Sequence, residues 1–390
     1  MNITQELYSQ LNRVQKYSLI IGALSLALCV VGAFFNREQF FRSYLLAYVF
    51  WIGIALGCFA VLMMYYLVGG LWGVVIRRLL ESGTRTLPLM VLLFMPIAFG
   101  LSDLYIWARP EAVARDELLQ QKSGYLNVPF FLIRAVIYFA VWIGIAYFFN
   151  KWSLEQDRTA EPSLIRRLRT LSGPGMVLYW LTATFASVDW IMSLEPHWFS
   201  SAYGMIIIAG QVLVTLAFVI LMSLFLSGYE PLSNAISSAR FHDLGNLLLT
   251  FLILWAYVAF SQYLITWSGN ATDENSWYVH RMKGGWEWVG LSLMIFYFFL
   301  PFLLLLSRYV KRRAQALSAI AAVIIFMHLV YDFWLVEPTF HRTGLRIHWM
   351  DFVAPIGIGG IWITVFIHGL KGRALLPIRD PRLEEVLEHG

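Results

Sequence analysis

Ten ionisable side chains stand inside, or within a few residues of, long apolar stretches: Asp103, Arg134, Asp189, Glu195, His197, Glu287, His328, Asp332, Glu337 and Asp351. In a membrane span such a group costs about 2.5–3.5 kcal/mol on insertion scales, so each needs a partner, a water-filled cavity or a path to the interface. His328 and Asp332 are four residues apart and share one helical face. Thr182, Asp189 and Ser193 also fall on one stripe. Arg134 is the natural countercharge for one of the aspartates, and the spacing leaves open which. Carboxylates grouped with an arginine and a histidine can hold or pass protons. The competing reading is polar glue, with interhelical hydrogen bonds and one buried ion pair fixing a helix bundle. Glu195, His197, Glu337 and Asp351 lie at the rim, where hydration or contact with another subunit accounts for them equally well.

A second polar set runs along one predicted helix. Asp243, Asn246, Thr250, Tyr257 and Ser261 fall within about 60° of one another at 100° per residue, with His242 at the mouth. The step from Thr250 to Tyr257, about 10 Å at 1.5 Å per residue, would need water or a neighbouring helix to carry a proton. A helix–helix seam explains the same stripe. Haem b needs two histidines at one depth on facing helices. His328 is expected near mid-membrane and His242 and His368 near one face, so the pattern fails. Cys29 and Cys58 both lie in apolar runs and support neither a disulfide framework nor a thiolate metal site. The sequence contains no C-x-x-C-H motif and no G-x-x-x-x-G-K-[ST] motif.

These groups must be held by membrane-spanning helices. The 390 residues are 59% hydrophobic and 16% aromatic, and only 14% are charged, against roughly 25% in soluble chains; the mean hydropathy is +0.65. The net charge of +5 then reads as basic loops facing anionic lipid, and nucleic-acid binding drops out. A span needs about 20 apolar residues. Such segments occur at 17–35, 44–66, 87–107, 127–149, 173–194, 200–225, 242–267, 286–307, 316–336 and 350–370, predicting an all-α polytopic membrane protein with ten transmembrane helices in a single integral domain (1–390). The first span is led by Arg13 and Lys16 like a signal peptide, but its apolar run is long and no A-x-A site follows, so it is expected to remain a helix. Alternate loops carry 19 basic residues on one side and 9 on the other, with Arg134 inside a span. That bias predicts both termini in the cytoplasm, with residues 371–390 as a cytoplasmic tail.

The ends of three odd-numbered spans look alike: Asp103 to Trp107 then Arg109-Pro110, Asp189-Trp190 then Glu195-Pro196-His197, and Asp332-Phe333-Trp334 then Glu337-Pro338. The seventh span carries Gln262 and Trp267 in the comparable place. This predicts two related four-helix bundles, residues 44–194 and 200–336, with the first and last helices outside them.

The run Ser187-Val-Asp-Trp-Ile-Met-Ser-Leu-Glu-Pro-His-Trp-Phe-Ser200 is more specific than composition. With the runs Gly69–Arg78, Phe241–Asn246, Trp255–Tyr263 and Asp332–Pro338, it resembles the smaller of the two NrfD-like (polysulfide-reductase membrane subunit-like) proteins of bacterial Alternative Complex III, a quinol:electron-acceptor oxidoreductase. The resemblance covers nearly the whole chain. It implies a ten-helix subunit of the bacterial inner membrane. The partners it implies are a multihaem cytochrome c, an iron–sulfur protein, a larger NrfD-like quinol-oxidising subunit and small membrane subunits. Haem c and iron–sulfur clusters are then expected in partners, with no redox cofactor and no catalytic or metal-binding residue in this chain; a bound quinone is possible. Proton-conducting half-channels proposed for the family fall on Asp103, Arg134, Asp189, His328 and Asp332 from outside, with His242 and Asp243 at the cytoplasmic entrance; Tyr257 joins this pathway through the polar stripe of the seventh span. The expected role is a scaffold that conducts protons. The alternatives are a quinone site in this chain, for which His328 with Asp332 is the pair of the right type, and a proton-coupled secondary transporter.

Overall fold

A computed structural model describes residues 4–159 and 161–388, and among these all regular secondary structure is helical. Ten helices are long and apolar enough to cross a membrane: α1 (Gln5–Phe35), α2 (Arg37–Val68), α3 (Leu71–Phe99), α4 (Val128–Thr159), α5 (Pro162–Trp190), α6 (Tyr203–Ser227), α7 (Ser238–Gly269), α8 (Trp286–Leu306), α9 (Ala314–Val336) and α10 (Met350–Lys371). The protein is a multi-pass α-helical membrane protein. Both described chain ends lie at one end of the helix stack, here called the terminal face. The opposite face carries short helices, among them Pro110–Arg115, Glu117–Lys122 and Thr272–Arg281.

Burial does not follow hydropathy alone, because α1 and α8 are about as apolar as α2 and α6. α2 and α6 are apolar all round and form the centre, whereas α1, α7 and α8 leave most of their surface open. α2 packs on α3, α5, α6 and α10, and α6 packs on α5, α7 and α9; α4 touches α3 and α5, and α8 touches α7 and α9. α1 is held chiefly by α10. Gly22 and Gly360 allow this pairing, because a Cβ on Gly360 would stand 2.5 Å from the Gly22 Cα and from the Ser18 carbonyl. Small residues at such a crossing let backbones touch and gain close packing that larger side chains would prevent.

Several helices run past the predicted spans into polar sequence, whereas α3 stops at Phe99, short of the expected 107. α4 has 32 residues, about 48 Å at 1.5 Å per residue, against roughly 30 Å of hydrocarbon. Hydropathy marks the apolar part of such a helix and misses its end. The third span was expected at 87–107 after a basic loop. In the structure α3 begins at Leu71, and Arg77, Arg78 and Glu81 lie buried on its first half. Paired charges inside a bundle leave no apolar signal, so a helix reads as a loop.

Candidate functional site

Two sets of ionisable groups gather toward the opposite face, and they are built differently. In the first, α4 presents Arg134 and Tyr138, one turn apart, to Asp189 near the end of α5. Arg134 Nε donates to Asp189 Oδ2 at 2.8 Å and Nη2 donates to Oδ1 at 2.8 Å, while the Tyr138 hydroxyl donates to Oδ2 at 2.7 Å. Arg134 Nη1 donates to the Tyr125 carbonyl at 2.9 Å, and the guanidinium packs on the rings of Tyr125 and Phe130. Asp189 is wholly buried. A forked arginine–carboxylate pair with this many satisfied hydrogen bonds is strong and directional, so Asp189 cannot release its partner without leaving a guanidinium stranded. This arrangement locks helices.

Glu195, just beyond α5, forms a second closed pair. Its Oε1 accepts from Arg281 Nη1 at 2.9 Å and from the Thr339 hydroxyl at 3.0 Å. Arg281 stacks on Trp277 at 3.7 Å and donates to the carbonyls of Trp277, Trp334 and Leu335. One guanidinium thereby joins the exits of α5 and α9 to the short helix Thr272–Arg281. His280 stands 3.9 Å from Glu195; burial, and then Arg342, push its imidazole below the usual histidine value. Sequence reasoning passed over Arg281. The available signal was Trp277, one turn earlier on a polar helix, at stacking distance.

The second set has no cation. On α9, His328 and Asp332 are both buried, with His328 Nε2 3.9 Å from Asp332 Oδ2. That gap exceeds a hydrogen bond and suits one bridging water. The Tyr297 hydroxyl lies 2.6 Å from His328 Nδ1. Asp332 Oδ2 has no hydrogen-bond partner. Tyr297 is delivered by a π-helical turn, Leu293–Phe299, in the middle of α8, and turns of this type recur at functional sites. Gly210 on α6 makes room for the imidazole, since a Cβ there would stand 3.0 Å from His328 Cε1. A phenol, an imidazole and a carboxyl with an unpaired oxygen in one buried pocket can hold and relay a proton.

The remaining candidates stay outside both sets. Asp103 pairs with Arg37 at 2.9 Å at the surface. His197 pairs with Asp116 at 2.7 Å, also at the surface. Glu287 accepts from the Gly285 amide at 2.8 Å, Asp243 pairs with Arg240 at 3.1 Å, and His242 Nδ1 lies 3.4 Å from Asn246 Nδ2. Glu337 is buried with neither carboxyl oxygen hydrogen-bonded, and His341 Nε2 stands 3.5 Å away. Asp351 ties α10 to α2 through Gln39 at 3.1 Å and Ser43 at 2.5 Å. The α7 stripe corrects an expectation. Thr250 is exposed and Tyr257 is 68% exposed, while Asn246 accepts from Lys311 Nζ at 2.7 Å, so the stripe is not one continuous buried path. Periodicity defines a face but does not say which neighbour it meets.

Tyr257 instead borders a cleft of about 850 Å³ between α7 and α8, lined by Trp198, Tyr203, Trp255, Phe260, Met294 and Tyr331 among others. The cleft is overwhelmingly apolar and reaches Tyr331, the residue before Asp332. On the terminal face a third buried set, centred on Arg77, Arg78 and Glu81, was absent from the sequence expectations. Among the described residues, no group of three or more His, Cys, Asp and Glu side chains is arranged to hold a metal ion. No family model matches the sequence, and no curated protein is found to be similar to it.

Proposed function

We propose that this chain is an NrfD-like integral subunit of a quinol:electron-acceptor oxidoreductase of the Alternative Complex III type, corresponding to the subunit known as ActF. In this reading it scaffolds the complex and carries protons through Tyr297, His328 and Asp332 while a partner performs the quinol chemistry. The observation that carries the reading is the run Ser187–Ser200. The segment on which the resemblance rests also supplies both closed pairs, Asp189 with Arg134 and Glu195 with Arg281. A sequence so specific, serving two buried pairs at one end of the bundle, fits a family-defining brace. The helix pairings are compatible with two four-helix units, α2–α5 and α6–α9, flanked by α1 and α10.

The reading places the chain in a bacterial inner membrane with cytoplasmic termini. Its partners would be a multihaem cytochrome c, an iron–sulfur protein and a larger NrfD-like subunit. A tagged chain pulled from native membranes in mild detergent is expected to bring c-type haem and an iron–sulfur signal with it. A colourless chain, alone and monodisperse, would overturn the assignment.

One observation favours a second reading, a quinone held by this chain. The α7–α8 cleft has the size and aromatic lining of a small-molecule site, and its wall lies one residue from the unpaired Asp332. Trp255 and Tyr331 would flank a ring, and Tyr203 and Gln262 bring polar groups to the same wall. An azidoquinone is expected to label α7 and α8 on this reading, and label confined to partner subunits would remove it.

A further inference from the structure

The segment after α10 folds back across the terminal face. Leu375, Leu376, Leu383 and Val386 are buried, and the helix Arg382–Glu388 packs on the first half of α3. Asp380 is the polar anchor. Its Oδ2 lies 3.2 Å from both the Tyr65 hydroxyl and Arg77 Nη1, and its Oδ1 accepts from Arg382 Nε and the Arg382 amide at 3.1 Å. Beyond this contact lies a buried network shared by α3 and α4. Arg77 Nε donates to Glu81 Oε1 at 2.9 Å, and Arg77 Nη2 donates to Ser153 and Gln156 at 2.8 Å each. Arg78 donates to Glu81 Oε2 at 2.7 Å, to Ser153 at 2.8 Å and to Asp157. Arg77 and Glu81 have no exposure to solvent, although they belong to the half of α3 that reads as a loop by composition.

Two arginines at such a position would ordinarily sit in water. What covers them is a segment joined to the bundle by the Asp380 carboxylate, by Arg382 on Tyr65, by Arg373 Nη1 at 3.5 Å from Glu81 Oε2, by buried apolar side chains and by contacts such as Gln156 Nε2 to the Arg379 carbonyl at 3.4 Å. We propose that residues 372–388 are a removable seal on the terminal face, held by Asp380 in the Tyr65–Arg77–Arg382 cradle, and that the seal keeps water out of the Arg77–Glu81–Arg78 network. The inference is independent of the respiratory reading and would hold for a transporter as well. Burial works against the Asp380 carboxylate, but Arg382 and Arg77 hold it below the usual carboxylate range. The carboxylate contact therefore persists above the ordinary carboxylate pKa and fails only as the pH falls through the lowered one. A mild change of pH thus leaves the segment in place.

The test uses the full chain with Ser153→Cys as reporter and with Cys29 and Cys58 replaced by alanine. With the segment intact, a maleimide is expected to react slowly. Asp380→Ala combined with Leu376→Asp is expected to raise the rate by about tenfold or more, as a local opening equilibrium would, and Asp380→Glu is expected to stay protected. Excess synthetic peptide of residues 372–388 should restore protection to the loosened chain. An unchanged rate in the loosened chain overturns the proposal. So does a raised rate that the peptide cannot lower, because the segment would then be a folding element and not a seal.

Discussion

Asparagine in place of Asp332 is expected to leave the fold intact and, on the proton-carrying reading proposed above, to lower proton-coupled turnover of the complex by about a hundredfold, the lower end of what a positioned acid–base group contributes. The two halves of this result have separate causes. Asp332 Oδ2 accepts no hydrogen bond and faces no arginine, so the amide removes no stabilising contact and relieves the cost of an unpaired ionisable group in a buried place. Thermal stability should be unchanged or slightly higher. The function changes because an amide cannot exchange a proton with His328, which is poised on the other side by the Tyr297 hydroxyl at 2.6 Å. Tyr297→Phe should show a smaller loss of the same kind. Proton release and turnover in membrane vesicles, beside a thermal melt of the purified complex, separate the two effects. Wild-type proton release from a fully assembled Asp332→Asn complex would end the proton-carrying role.

Arg134→Met is expected to do the reverse, destabilising the chain by about 3–5 kcal/mol, the range seen when one partner of a buried ion pair is removed. Asp189 would be left buried with Tyr138 as its remaining donor, and Tyr125 and Phe130 would lose the cation between them. Arg134→Met combined with Asp189→Leu should recover most of that loss, since replacing both partners by apolar groups is often close to neutral. Unfolding in mixed micelles would measure the series. A single substitution costing less than about 1 kcal/mol would mean that the pair is hydrated like a surface bridge and not locked.

The contrast between these aspartates was only half legible in the sequence. Both stand at span exits in similar local text, followed by Trp and then Glu-Pro. Their difference lies on the helix each one faces. α4 offers Arg134 and Tyr138 to Asp189, whereas α8 offers Tyr297 to His328 and no cation to Asp332. Spacing along one helix identifies the shared face of His328 and Asp332, but the identity of the facing residue depends on packing between helices distant in sequence. The same limit applies to the α7 stripe, whose members meet different surroundings: Asn246 meets Lys311, and Tyr257 borders the α7–α8 cleft. The ten apolar stretches were readable because water is excluded from them whatever their neighbours. Arg77, Arg78 and Glu81 were not, because their burial depends on one another, on Ser153 and on Asp380.

The π-helical turn at Leu293–Phe299 bears on how this chain should be aligned with relatives. Hydrogen bonds in such a turn span five residues where the α-helix spans four, so α8 holds one residue more than an unbroken helix of the same length would need. A relative lacking that residue would still cross the membrane and pack on α9. The side chains on one side of the deletion would be rotated by about 100° relative to those on the other, and a tyrosine aligned with Tyr297 could then miss the imidazole entirely. Counting residues between Trp286 and Pro301 therefore sorts relatives that keep the phenol–imidazole contact from relatives that keep only the tyrosine.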